Sequence, residues 1–261
     1  MTPARHHDLS YIAFCSGGND SVALIQYLYH HAKLKRVDVV YNNTGWAATW
    51  WAERIKRVAQ WVESLGYQFT ELSSEGMESL VKRKKGWPAP QHGMQFCTEE
   101  LKIAPSLAYL DNIDPERSVV CCVGVRREES VQRRQFPEWT EESKKHGYRS
   151  LWGPLVRHTE EERNLLLAMT PFYPLPHRSC ECSPCIYANR SDIRELPEEK
   201  LVTIERIEKE LGFTKNGKPR TLFRPHRQMG AVGIREAVKW AHSEKGKYEP
   251  PRQCDSGYCG N

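Results

Sequence analysis

Residues 11–28, YIAFCSGGNDSVALIQYL, constrain this chain most. The run Tyr11-Ile12-Ala13-Phe14-Cys15 is apolar, short and bounded by glycine, which predicts a buried strand. Ser16-Gly17-Gly18-Asn19-Asp20-Ser21 makes a tight turn, and Val22, Leu24, Ile25 and Leu28 follow at helical spacing. A strand, a glycine turn and a helix N-terminus together make an anion site, because the first helical turn leaves backbone N–H groups free. Two glycines let the backbone close on such an anion, and the Ser16 and Ser21 hydroxyls add donors. Asp20 would repel a phosphate unless a cation lay between them, so it implies Mg²⁺. An ordinary βα turn capped by Asp20 or Ser21 uses the same residue types. The loop has neither the G-K-[ST] ending of a Walker A sequence nor a G-x-G-x-x-G spacing.

Further along, Arg36 to Tyr41 predicts a second buried strand ending in Asn42-Asn43-Thr44-Gly45. Trp51, Ile55, Val58, Val62 and Leu65 form the core stripe of a helix over 48–65, stopped by Gly66. Tyr67 to Leu72 alternates as a third strand, and Ser118 to Val123 is a fourth buried one. This βαβαβ order predicts an α/β fold with a doubly wound, mostly parallel sheet, whose crevice lies at the C-terminal ends of the strands. SGGNDS, NNTG and Gly124-Val125-Arg126-Arg127 all fall at such ends. The basic run Lys82 to Lys85 fits a solvated helix end or contact with a phosphate-rich substrate. Thr159 and Glu162 predict a capping box. Prolines 171, 174 and 176 mark the main composition shift, which divides the chain at 1–170 and 171–261, and Leu201, Ile204, Ile207 and Leu211 predict a later helix.

The length of 261 residues, 39% hydrophobic and 27% charged, fits one substantial α/β domain with an appendage. No apolar run reaches a membrane span and the first residues lack a signal-peptide core, so a cytoplasmic location is expected. A net charge of +5 suits anionic ligands without marking a dedicated nucleic-acid surface. Five of nine cysteines lie beyond residue 179, which points to metal or redox chemistry rather than a disulfide framework. Cys182-x-x-Cys185 with Cys254 and Cys259 has the count for four-thiolate ligation of zinc or an iron–sulfur cluster. Cys97, at the start of a predicted helix, is placed for a lowered thiol pKa, as a ligand or a nucleophile. Cys121 and Cys122 read as small core hydrophobes.

SGGNDS (16–21), NNTGWAAT (42–49), FCTEELKIAP (96–105), GVRREES (124–130), GPLVRHTEEE (153–162) and CSPCI (182–186) occur in one order. In that order they resemble the phosphoadenosine phosphosulfate (PAPS) reductase-like branch of the PP-loop, or adenine nucleotide α-hydrolase, superfamily. The chain is most similar to its phage-type members and to the sulfurtransferases of DNA phosphorothioation. The resemblance implies an adenine nucleotide, ATP or PAPS, with Ser16, Gly17, Gly18, Asn19, Asp20 and Ser21 around its phosphates. It implies Asn43, Thr44 and Gly45 beside the nucleotide, and Gly124 with Arg126 on the substrate side. Asp20, Cys97 and Arg126 are the catalytic candidates. It further implies a [4Fe-4S] cluster on Cys97, Cys182, Cys185 and one tail cysteine, Cys254 or Cys259, with zinc as the alternative.

Reductases of the branch carry a C-terminal Glu-Cys-Gly-Leu-His motif, whereas this chain ends Tyr258-Cys259-Gly260-Asn261. The intact SGGNDS favours cleavage of ATP between its α and β phosphates, to adenylate an acceptor in sulfur transfer. A reductase that releases sulfite, with a thiol or thioredoxin-like donor, is the alternative. A non-catalytic, metal-stapled nucleic-acid-binding module is the second alternative, and a nucleic acid is also a possible sulfur acceptor.

Overall fold

The computed structural model describes residues 10–90, 94–224 and 231–243. The β1 strand (Tyr11–Phe14), α1 (Asn19–His30), β2 (Val37–Asn43), α2 (Trp51–Ser64) and β3 (Gln68–Ser73) form the expected βαβαβ unit. Its strands run parallel, with Tyr11 opposite Val37 and Asp38 opposite Gln68. Next comes α3 (Met77–Lys84), then α4 (Phe96–Thr98), which runs through a π-helical turn at Glu99–Ile103 into α5 (Ala104–Ile113). Pro105 lies in the first turn of α5 and has no N–H to give Leu101, so the turn before it widens. With β4 (Val120–Cys122), β5 (Trp139–Ser143) and β6 (Arg149–Trp152) the sheet has six strands in the order β3-β2-β1-β4-β6-β5. Within this sheet β5, at one edge, pairs antiparallel with β6, and the other pairings are parallel.

Alternate residues of β1 serve opposite faces. Ala13 packs with Val39 and Cys122 beneath α1 and α2, and beneath Leu166 and Leu167 of α6 (Glu160–Ala168). Ile12 and Phe14 pack with Val40 and Cys121 against Leu110 and Ile113 of α5. Apolar residues on both faces are what a doubly wound sheet requires of its central strands. Cys121 and Cys122 are fully buried, and burial pushes the Cys121 thiol up to about 12, so both act as core side chains. Trp51, also fully buried, belongs to the core as its spacing predicted. A second apolar cluster joins Trp46, Leu80 and Leu101 to α7 (Arg190–Arg194), α8 (Glu198–Leu211) and α9 (Ile234–His242).

The expected stop and start signals are in place. Glu162 N–H donates to Thr159 Oγ1 at 3.2 Å and Thr159 N–H to Glu162 Oε2 at 2.7 Å, while α8 ends at Gly212 with φ +59°. The basic run is the last turn of α3. There Lys82 pairs with Glu78 and Glu210, Arg83 with Glu75 and Glu100, and Lys84 with Glu100. It is a helix end covered by glutamates, with cations at the negative end of the dipole. No helix among the described residues is long and apolar enough to cross a membrane.

Candidate functional site

The glycine loop leaves β1 at the point where the chain's strands diverge, with β2 on one side of β1 and β4 on the other. Such a switch point opens a crevice at the C-terminal end of the sheet. Gly17 takes φ +77°, and a Cβ there would lie 2.6 Å from Ile55 Cδ1. Side chains of α2 hold the loop from below: Trp51 Nε1 donates to the Ser16 carbonyl at 3.1 Å, and Arg54 Nε to the Gly17 carbonyl at 2.7 Å. Gly18 is the N-cap of α1, and its carbonyl accepts from Ser21 Oγ at 3.0 Å. The loop after β4 comes so close that a Cβ on Gly124 would meet the Asp20 carbonyl oxygen at 2.6 Å and the Ser21 nitrogen at 3.2 Å.

Asp20 is 1% exposed. This corrects the exposed position that a polar loop residue at a sheet edge suggests. Arg126, in the loop after β4, donates from Nε to Asp20 Oδ1 at 2.5 Å, and Arg163 of α6 places Nη1 3.5 Å from the same oxygen. Both arginines are buried, and their remaining acidic partners, Glu128 and Glu160, are exposed. Burial alone would lower the Arg126 pKa, but Asp20 outweighs it and the pKa is raised, so the guanidinium stays charged. Asp20 Oδ2 is buried without a hydrogen-bond partner. An anionic oxygen left bare in a buried site fits a cation, so the residues present can accept the Mg²⁺ that Asp20 implied.

The segment after α6 lies across this loop as a strap. Asn19 Nδ2 donates to the Leu175 carbonyl at 3.0 Å, and the Leu175 N–H to Asn19 Oδ1 at 2.8 Å. Ser179 Oγ donates to the Ser16 carbonyl at 3.3 Å. Further on, Ala48 N–H bonds the Cys180 carbonyl at 3.0 Å, and Ser183 N–H the Trp46 carbonyl at 2.8 Å. Thr44 Oγ1 donates to the Glu181 carbonyl at 2.9 Å, and the Glu181 carboxylate pairs with the buried Lys102. The structure thus gathers Ser16 to Ser21, Gly124, Arg126 and Thr44 under or beside one strap. Asn43 and Gly45 instead line a separate cavity of about 340 Å³ with Ser74, Gly76 and Met77.

Three of the candidate ligands share one region without closing into a metal-holding group. The thiols of Cys97 and Cys182 both feel that of Cys185, and Cys182 Sγ lies 3.6 Å from Thr44 Oγ1. Burial, then Cys185, pushes the Cys97 thiol up to about 11, and burial pushes Cys182 up to about 12. This corrects the lowered pKa expected of Cys97, whose short α4 and π turn give no strong dipole while the surroundings exclude water. Cys180, Cys182 and Cys185 line a cavity of about 290 Å³ with Trp50 and His177. Among the described residues no three His, Cys, Asp or Glu side chains close into a set able to hold a metal ion. Cys254 and Cys259 lie outside the described residues. The donor chemistry, three half-buried soft thiols in one neighbourhood, suits a thiolate-ligated centre.

Arg163, Lys102 and Glu181 escaped the sequence reading. Arg163 carried a signal, since positions 163, 166 and 167 share a helix face and two of them are leucines. A charge on an apolar stripe marks a buried ion site.

A glycine loop on a helix N-terminus at the switch point, crossed by buried cations, defines a doubly wound α/β protein with an anion-ready crevice. The chain belongs to the phosphoadenosine phosphosulfate reductase domain family, whose sequence profile matches residues 10–179. It is similar to an uncharacterised 37.8 kDa protein of the gpa 5′ region of Escherichia phage 186, at 27% identity over 165 residues. That match covers 57% of this chain and 45% of the phage protein, so the chain spans less than half of that relative. Among solved structures, a phosphate complex of PAPS reductase from Candida auris shares 12% identity with TM-score 0.44, over 62% of this chain and 74% of that one. An FMN adenylyltransferase from Candida glabrata shares 13% with TM-score 0.37, over 69% and 50%.

The close approach of Gly124 to Asp20 makes a direct test. Gly124→Ala is expected to displace the Asp20 backbone and cost about 1–3 kcal/mol, the usual range for overpacking. Gly86→Ala, where an added Cβ meets nothing within 4 Å, is the matched control and should stay within about 0.5 kcal/mol of wild type. Urea unfolding of both variants measures the difference, and equal midpoints would contradict the geometry.

Proposed function

We propose that this chain is a PP-loop enzyme that binds an adenine nucleotide at residues 16–21 and acts in sulfur transfer, cleaving ATP between its α and β phosphates. Family membership supports the nucleotide. The observation that carries the reading is the buried Asp20, with two arginines on one carboxylate oxygen and the other oxygen bare. A carboxylate so placed beside a glycine loop is costly unless a cation and a polyanion complete it.

In this reading the first-turn N–H groups of α1, with Ser16 and Ser21, hold phosphate oxygens. Thr44, which the strap covers, borders the nucleoside. An acceptor oxygen attacks the α-phosphorus and loses its proton to solvent. The bond to the α–β bridging oxygen breaks, and pyrophosphate leaves with the electron pair. Arg126 is placed to meet the charge that develops on that leaving group. Bound at Asp20 Oδ2, Mg²⁺ would neutralise phosphate charge and make the α-phosphorus more electrophilic. The adenylated acceptor, a nucleic acid or a small molecule, then offers AMP as a leaving group to sulfur. A [4Fe-4S] cluster held by Cys97, Cys182, Cys185 and one of Cys254 or Cys259 would supply an electron-handling, sulfur-binding centre. We place that centre in a C-terminal unit, 171–261, joined to the nucleotide unit, 1–170, through the strap.

Anaerobic incubation with ATP and Mg²⁺ under reducing conditions, with product analysis, tests the reaction. AMP with pyrophosphate is expected, and Asp20→Asn should abolish it. Adenosine 3′,5′-bisphosphate and sulfite formed from PAPS, without cleavage of ATP, would instead select the reductase.

Metal analysis of anaerobically purified protein tests the centre. About four irons per chain are expected, and both Cys97→Ser and Cys182→Ser should be empty of iron. A Cys97→Ser protein with full iron content would make Cys97 a nucleophile and not a ligand. Stoichiometric zinc without iron would overturn the cluster.

A further inference from the structure

Two buried guanidiniums share one buried carboxylate. Arg126 holds Asp20 Oδ1 at 2.5 Å, whereas Arg163 reaches the same oxygen only at 3.5 Å. Arg163 is 4% exposed, and its closer partners are the side chain of its neighbour Asn164 at 3.0 Å and the exposed Glu160 at 2.9 Å. A guanidinium on the same helix face as Leu166 and Leu167 is expensive to bury, and its one buried carboxylate, Asp20, is also its longest contact. Its direction has a reason if an anion completes the site. Planar forks match phosphate oxygens in pairs, and two forks from different elements match a ligand with more than one phosphate.

The topology says which phosphates these would be. Thr44 follows β2, on one side of the glycine loop, while Arg126 follows β4 on the other. A nucleoside on the β2 side sends its phosphate chain across the N-terminus of α1 toward β4 and α6. We infer that Arg163 and Arg126 form a clamp for the β- and γ-phosphates of a nucleoside triphosphate, and that Arg163 is the residue through which the site tells a triphosphate from a monophosphate. This rests on the nucleotide reading above and adds to it the length of the phosphate chain. When the phosphates take both arginines, Asp20 is released from them and is free to serve a cation with both oxygens.

The test is equilibrium binding of ATP, AMP and inorganic pyrophosphate, each with Mg²⁺, to the full-length protein and to Arg163→Met and Arg163→Lys. Loss of a charged, hydrogen-bonded contact predicts about ten- to a hundredfold weaker ATP and pyrophosphate binding for Arg163→Met, with AMP unchanged. Arg163→Lys keeps the charge without the fork and should recover part of that loss. Should the Met variant fail to fold, the Lys variant still decides, since it must weaken ATP relative to AMP. ATP and AMP weakened by one common factor, or neither weakened, would overturn the clamp while leaving the nucleotide reading intact. A wild-type protein that binds none of the three would overturn both.

Discussion

The buried pair between Asp20 and Arg126 is the constraint on which the rest of the site depends. It ties the first turn of α1 to the loop after β4, across the switch point of the sheet. Taking both charges out of water costs several kcal/mol per ion, and losing one partner of such a pair costs about 3–5 kcal/mol. The surrounding sequence is therefore committed to it. Gly124 has no side chain because the Asp20 backbone occupies that space, and Gly17 bends with positive φ so that the loop can seat on Trp51 and Ile55. A site built this way is a poor use of stability unless an incoming ligand exchanges for part of it. In the proposed reading, that exchange accounts for the bare carboxylate oxygen and for the long contact of Arg163.

The strap sets the second condition. Reciprocal bonds between Asn19 and Leu175, and the contact of Ser179 with the Ser16 carbonyl, close the loop from above. The same stretch carries Cys180, Cys182 and Cys185, so one segment ties the thiols to the glycine loop. Lys102 joins them, since it pairs with Glu181 and also draws down the thiol pKa values of Cys97 and Cys182 against the effect of burial. Anything bound at the thiols stiffens the strap. The strap is held by separate side-chain and backbone bonds rather than by a strand ladder.

Much of this was legible in the sequence. The central strands are unbroken apolar runs, and their helices carry clean stripes, so the parallel core and its crevice follow from pattern alone. The hairpin of β5 and β6 was not legible. Trp139–Ser143 carries two glutamates, and β6 opens with Arg149, a fully buried arginine neutralised by Asp114 from the end of α5. A long-range ion pair turned a charged stretch into a strand, and no local pattern announces that. For the same reason nothing local marks Asp20 as buried, because the arginines against it come from the loop after β4 and from α6. Cys97 failed differently. A helix start suggested a dipole, but packing against the second apolar cluster raised the thiol instead.

Hydrogen–deuterium exchange on the intact protein, followed through a titration with ATP and Mg²⁺, tests the central claim most directly. The claim is that the glycine loop receives the nucleotide and that the strap answers to it. Amides of residues 17–22 and 124–128 should become protected together, and exchange across 175–183 should change at the same nucleotide concentration. Saturating nucleotide that leaves both the loop and the strap unchanged, or protects only a distant surface, would contradict it.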